Sequence, residues 1–130
     1  MPEKLRFDSY RQWAEVITPG LRAALAGDRE GPPHTPFSEA WLAYALHYYD
    51  RPQTLEEVIE SADAINHAIP NPDEVAWAFL RLRSRGWLAE QGNLYGLTAA
   101  GRQAIEAIVG GDDVLDGVER LTTWVSKHSP

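Results

Sequence analysis

The sequence predicts a mainly helical domain of 130 residues with one small β-hairpin. Three observations predict it. Apolar residues recur at three- and four-residue spacing in several separate blocks. Capping residues and Gly or Pro punctuate the blocks. Only one pair of short strand-like segments occurs, on either side of Gln91-Gly92-Asn93.

Composition bounds the answer. At 44% hydrophobic and 24% charged residues the chain has globular rather than disordered character, so one core is expected. The absence of cysteine excludes disulfides, thiolate metal sites and a cysteine nucleophile. The first residues, Met1 to Asp8, are charged where a signal peptide needs an apolar stretch, and no run approaches the ~20 apolar residues that span a bilayer. The expected setting is the cytoplasm, with no membrane partner. Twelve Lys and Arg against nineteen Asp and Glu give a formal charge of -7, a field that repels phosphate backbones unless a local basic patch outweighs it.

Residues 1–35 read as a helical extension with a Pro-rich connector, 36–109 as the core and 110–130 as a terminal helix. In the first part, Tyr10, Trp13, Ala14 and Ile17 share one face and Leu21, Ala24 and Leu25 another, with Thr18-Pro19-Gly20 between them. Two short helices are expected, the second capped by Thr18 with Pro19 in its first turn. Asp28 to Thr35 reads as a stiff exposed connector. From Pro36 to Asp50, Phe37, Trp41, Leu42, Tyr44, Ala45, Leu46, Tyr48 and Tyr49 cover almost the whole circumference of a helix. Such a helix is buried on more than one side, either between core and terminal helices or in a dimer interface.

Thr54-Leu-Glu-Glu57 is a capping-box pattern that opens an amphipathic helix carrying Leu55, Val58, Ile59 and Ala62, and a connector from Ala64 to Pro70 follows. Asn71-Pro72-Asp73-Glu74 then supplies a cap, a first-turn proline and two acids for the next helix, whose core face is Val75, Ala78, Phe79 and Leu82 and whose stop is Gly86. Trp87 to Glu90 and Leu94 to Leu97 form the hairpin. Thr98 caps a helix with Ala104, Ile105, Ile108 and Val109, ended by Gly110-Gly111. The last helix opens at Asp112 or Asp113 and lines up Val114, Val118, Leu121 and Val125, a stripe that needs a partner.

This order, with Leu82-Arg-Ser-Arg-Gly86-Trp87-Leu88 ahead of the hairpin and Leu97-Thr98-Ala-Ala-Gly101-Arg102 after it, resembles winged helix-turn-helix regulators of the MarR and PadR type over about residues 37–109. The resemblance implies a winged helix-turn-helix with additional N- and C-terminal helices. It makes the helix from Asn71 to Arg85 a recognition helix and Glu90 to Tyr95 a wing. It also implies a cytoplasmic transcriptional regulator that binds duplex DNA as a homodimer, with Arg81, Arg83, Arg85, Arg102 and Asn93 as the DNA-contact candidates.

The chemistry of those positions points elsewhere. The base-reading end of such a helix needs donors or small polar groups, but here it offers Asp73, Glu74, Ala76, Trp77 and Leu80. The wing tip, Gln91-Gly92-Asn93, has no Arg or Lys to reach a phosphate. From Asn71 to Arg102 four arginines stand against three acids, a net of +1. The three helical arginines serve either phosphate contact or a solvated helix end whose cations suit the dipole. Trp77 and Leu80 form either a patch for a protein partner or a contact with the terminal helices.

Protein-interface candidates are therefore Trp77, Leu80, Trp41, Tyr48, Val118, Leu121 and Val125, and surplus apolar surface on the Pro36 to Asp50 and terminal helices suggests a homodimer. His34, His47, His67 and His128 lack paired ligand spacing. Asp112, Asp113, Asp116 and Glu119 lack the alternation of a calcium loop and read as a cap and solvated face. Trp41, Tyr44, Tyr48 and Tyr49 serve as core or line an aromatic pocket. No serine elbow or phosphate loop is present, so no enzyme activity and no cofactor is expected. Two functions remain: a DNA-binding regulator, and a winged helix used for protein interaction or dimerisation without DNA.

Overall fold

The computed structural model describes residues 2–27, 35–111 and 113–130, with side chains from residue 10 onward. The chain is mainly helical with a small antiparallel sheet. Helix α1 (Pro2–Leu25) leads to α2 (Pro36–Tyr48), a two-residue strand β1 (Gln53–Thr54), α3 (Leu55–Asn66) and α4 (Pro72–Arg85). The hairpin β2 (Leu88–Gln91) and β3 (Leu94–Leu97) precedes α5 (Ala99–Val109) and α6 (Val114–Lys127). Among the described residues no helix is long and apolar enough to cross a membrane.

The first expectation to be corrected is the pair of N-terminal helices: α1 runs unbroken through Thr18-Pro19-Gly20. Tyr10, Ala14, Ile17, Leu21 and Ala24, all buried, follow a continuous four–three spacing across the proline. Proline inside a helix removes one backbone bond and costs about 3 kcal/mol, and an uninterrupted apolar stripe laid on α3 and α4 outweighs it. Thr18 caps nothing; its hydroxyl donates to the Ala14 carbonyl at 2.6 Å. The connector expected from Asp28 lies, as far as His34, outside the described residues, and Thr35 caps α2 by accepting from the Ser38 amide.

Helix α2 is the centre of the core. Residues 38–46 are all buried, because α3, α4 and α6 pack around it. Trp41 is therefore core, its indole N–H donating to the Ala62 carbonyl at 2.9 Å, while Tyr48 at the helix end is half exposed. The α6 stripe Val118, Leu121 and Val125 is likewise buried, and α6 packs on α2. These four interface candidates are thus spent within the chain, which corrects the dimer surface expected from them.

The caps follow the sequence. Thr54 with Glu57 and Asn71 with Glu74 form complete capping boxes, Thr98 and Asp113 cap α5 and α6, and Gly86 ends α4 in the left-handed region at φ 79°. Asp112, the alternative cap, lies outside the described residues. Helix α3 takes in the first three residues of the expected connector, Ala64 to Asn66, and closes on His67 at φ 54°, so only residues 67–71 join α3 to α4.

Strand β3 is central in the order β1-β3-β2, with Gln53 opposite Tyr95 and Leu88 opposite Leu97. Strand β1 is too short to carry an alternation and was not foreseen. The hairpin closes on two residues, Gly92 and Asn93, with Gly92 at φ 60°.

The motif that flanks the hairpin has a mechanical origin. The Trp87 amide donates to the Leu82 carbonyl, its carbonyl accepts from the Thr98 amide at 2.8 Å, and the Thr98 hydroxyl donates to the Gly86 carbonyl at 2.7 Å. The end of α4 is thereby stapled to the start of α5. Helix α5 passes so close that a Cβ on Gly101 would lie 2.9 Å from the Trp87 backbone, which only glycine permits.

Candidate functional site

The helix that the resemblance marks as the recognition helix is α4, and neighbouring helices decide what its outer side offers. On one flank α4 meets α2. Ser38 donates to Glu74 at 2.9 Å, and Glu39, with no side-chain exposure, accepts from the Nε of Arg81 and of Arg85, each at 2.5 Å. A carboxylate taken fully out of water must be paired, and here one carboxylate uses both oxygens on two guanidinium groups. On the other flank α4 meets α1: Arg83 donates to the Leu25 carbonyl, and Ala76, seven residues earlier on the same side, is fully buried. Trp13 on α1 also donates to the Pro70 carbonyl just ahead of α4, at 2.6 Å.

What stays outward is a strip of four positions, Asp73, Trp77, Leu80 and Ser84, spaced four, three and four residues apart. Trp77 and Leu80 are half-buried, Asp73 and Ser84 exposed. The Arg81 guanidinium lies 4.7 Å from the Trp77 ring centre, so the cation covers the indole from the α2 side. The expected exposure of Ala76 is corrected.

The DNA-contact candidates do not form a patch. Arg85 is 4% exposed and lies 5.4 and 5.2 Å from the ring centres of Trp87 and Trp124, which stack on each other at 5.3 Å. It locks the end of α4 to the hairpin and to α6. One of its terminal nitrogens, Nη2, is buried without a hydrogen-bond partner. Arg81 is 26% exposed and held by Glu39. Both serve as counterions of the buried Glu39 carboxylate, Arg85 from inside the structure and Arg81 from its edge.

Arg102 donates to the Tyr49 carbonyl at 3.1 Å and pairs with Asp50 at 3.2 Å, tying α5 to the end of α2. Beside it the His47 imidazole is held below its ordinary pKa, first by burial and then by the Arg102 charge, with Glu106 opposing at 3.8 Å. Asn93 accepts from Arg22 of α1 at 2.6 Å. Arg22 and Arg83 are both exposed.

Trp41 and Tyr44 are packed inside, and burial raises the Tyr44 pKa. Neither lines the open groove of about 900 Å³ between α5 and α6. Among the described residues no three His, Cys, Asp or Glu side chains gather to hold a metal ion.

Sequence reasoning missed Glu39. The signal was present: it is the one charged residue in the mostly apolar Phe37 to Leu46 run, and a charge on a helix buried all round requires partners from neighbouring helices. No family model, curated protein or solved structure matches the chain.

Proposed function

We propose that this chain is a winged-helix domain of regulatory type that works through protein contacts, with the outer strip of α4 as its contact surface. The winged-helix assignment is supported by the order of elements from α2 to α5: a short strand ahead of two consecutive helices, then a hairpin whose inner strand pairs with it. The observation that carries the choice of partner is Glu39. It consumes Arg81 and Arg85, so the helix that would enter a major groove presents Asp73, Trp77, Leu80 and Ser84. An acid and two large apolar groups suit a protein partner, since Trp anchors interfaces well and carboxylates repel phosphates.

Binding to DNA has one observation on its side: Arg22 and Arg83 are exposed cations near the end of α1, Arg22 donating to Asn93 at the hairpin tip and Arg83 to the Leu25 carbonyl. One experiment separates the readings. A labelled mixed-sequence duplex is titrated with the protein at low and then moderate salt, followed by anisotropy, alongside an Arg22→Ala/Arg83→Ala variant. The protein-contact reading expects no salt-dependent binding. Micromolar binding that weakens steeply with salt and vanishes in the variant overturns it.

A further inference from the structure

We infer that the cleft between α2, α3 and α6 binds a small primary amine with an apolar body, its ammonium group held at Glu119 on the edge of α6. The cleft has a volume of about 280 Å³. Its floor is Ile65 and Val118, each 5% exposed, and its walls are Phe37 at the start of α2 and Leu115 near the start of α6. Phe37 is 36% exposed and Leu115 71%, the largest exposure of any large apolar side chain among the described residues. Small-molecule sites are mostly apolar with a few converging polar groups, and this volume lies just below their usual roughly 300–1,000 Å³, which leaves room for one ring and a short arm.

The polar side of the lining sets the chemistry of the ligand. Glu119, Thr122 and Thr123 are three and four residues apart and share one edge of α6, a crest between this cleft and the α5–α6 groove. The Thr122 hydroxyl donates to the Val118 carbonyl at 2.7 Å, and the Thr123 hydroxyl donates to the Glu119 carbonyl at 3.1 Å. Each has given its single proton to its own helix, so toward the cleft each can only accept. The Glu119 carboxylate is also an acceptor, and among the described residues it has no ion pair. Asn66, on the α3 side, can turn either end of its amide to the cleft.

An edge built of acceptors requires donors from the ligand. A primary ammonium brings three and a positive charge, an alcohol brings one, and a carboxylate brings none. With the ammonium on this edge, the apolar body lies between Phe37 and Leu115 and takes their surface out of water.

The probe is phenethylamine, titrated into the isotope-labelled chain and followed by NMR. Saturable shifts are expected at the methyl groups of Ile65, Leu115 and Val118, with a Kd of about 1 mM or below. Phenethyl alcohol keeps the ring and arm but has one donor and no charge, and should bind about fivefold more weakly. Hydrocinnamate, an anion of similar shape, should be weaker still. Glu119→Gln should weaken the amine by about fivefold, the upper range for an exposed ion pair, and bring it level with the alcohol. Leu115→Ser, which removes a wall, should weaken amine and alcohol alike. Both positions are exposed, so the fold should persist, and the rest of the spectrum checks this. No saturable shifts at these methyl groups, equal affinity for amine and anion, or an amine affinity indifferent to Glu119→Gln overturns the inference. None of these outcomes bears on the outer strip of α4, which does not line the cleft.

Discussion

Replacing Glu39 by alanine is the perturbation that most exposes how this molecule is held together. The carboxylate has no side-chain exposure and bonds Arg81 and Arg85 at 2.5 Å each. Without it, Arg85, 4% exposed and already carrying one unpartnered nitrogen, is left as a buried cation. Removing one member of a buried ion pair costs about 3–5 kcal/mol. Arg81 moderates this, because at 26% exposure its guanidinium can turn to water. The expected loss is therefore near the lower end, about 3 kcal/mol, or roughly 10 °C in Tm for a domain of this size.

Urea unfolding followed by tryptophan fluorescence measures it, since Trp87 and Trp124 lie against Arg85. Arg85→Ala should cost more than Arg81→Ala, because the first also uncovers two stacked indoles. A triple replacement of Glu39, Arg81 and Arg85 by Met, Leu and Met should recover most of the stability, as apolar side chains of similar volume often replace a buried ionic cluster without loss. A loss below about 1 kcal/mol for Glu39→Ala would refute the claim that the arginines are internal counterions.

Two further predictions concern packing and pH. Gly101→Ala should destabilise by about 1–3 kcal/mol, because the new methyl meets the Trp87 backbone, which cannot move aside. Gly117→Ala should cost less, since its nearest neighbour is the edge of the Tyr44 ring; paired denaturation curves compare them. His47 is held below its ordinary pKa of 6.5 by burial and Arg102, so the unfolded chain takes up the proton first. Stability should fall as pH drops through 6.5, and His47→Gln should flatten that step in a Tm-against-pH series. Glu57 is pulled from 4.5 to about 2, chiefly by its hydrogen bond from Arg51 and then by the Thr54 amide. Its contribution is complete above 4.5 and is lost between 4.5 and about 2. Arg51 is half exposed, so the step is small, and Arg51→Met should reduce it further.

Much of the fold was legible because its signals are local. A Thr or Asn three residues ahead of a Glu satisfies the first free amides wherever the rest of the chain lies, so α3 and α4 began where expected. Gly86 and the Leu97-Thr98…Gly101 step were legible for the same reason. The misreadings were tertiary. Thr18-Pro19-Gly20 has the composition of a break, and only the continuous stripe from Tyr10 to Ala24, docked on α3 and α4, overrides it. The spacing of Val118, Leu121 and Val125 says that the stripe needs a partner, but periodicity cannot say that the partner is α2 of the same chain.

The site was legible in part. The unsuitability of Asp73, Trp77 and Leu80 for DNA could be read from residue type alone. The fate of Arg81 and Arg85 could not, because Glu39 lies 42 and 46 positions away. Ala76 carried no signal at all, since alanine suits a covered and an uncovered flank equally well.

Arg81 and Arg85 serve the buried Glu39 carboxylate, and the proposed role of α4 in protein contacts leaves them no part in holding a phosphate. Nitrogen-15 NMR of the arginine Nε–H groups tests it directly, with a mixed-sequence duplex added at low salt. Two resolved, slowly exchanging Nε–H signals from Arg81 and Arg85 that do not move as duplex is added are expected. Rapidly exchanging signals that shift with the duplex would contradict it and return these residues to the phosphate backbone.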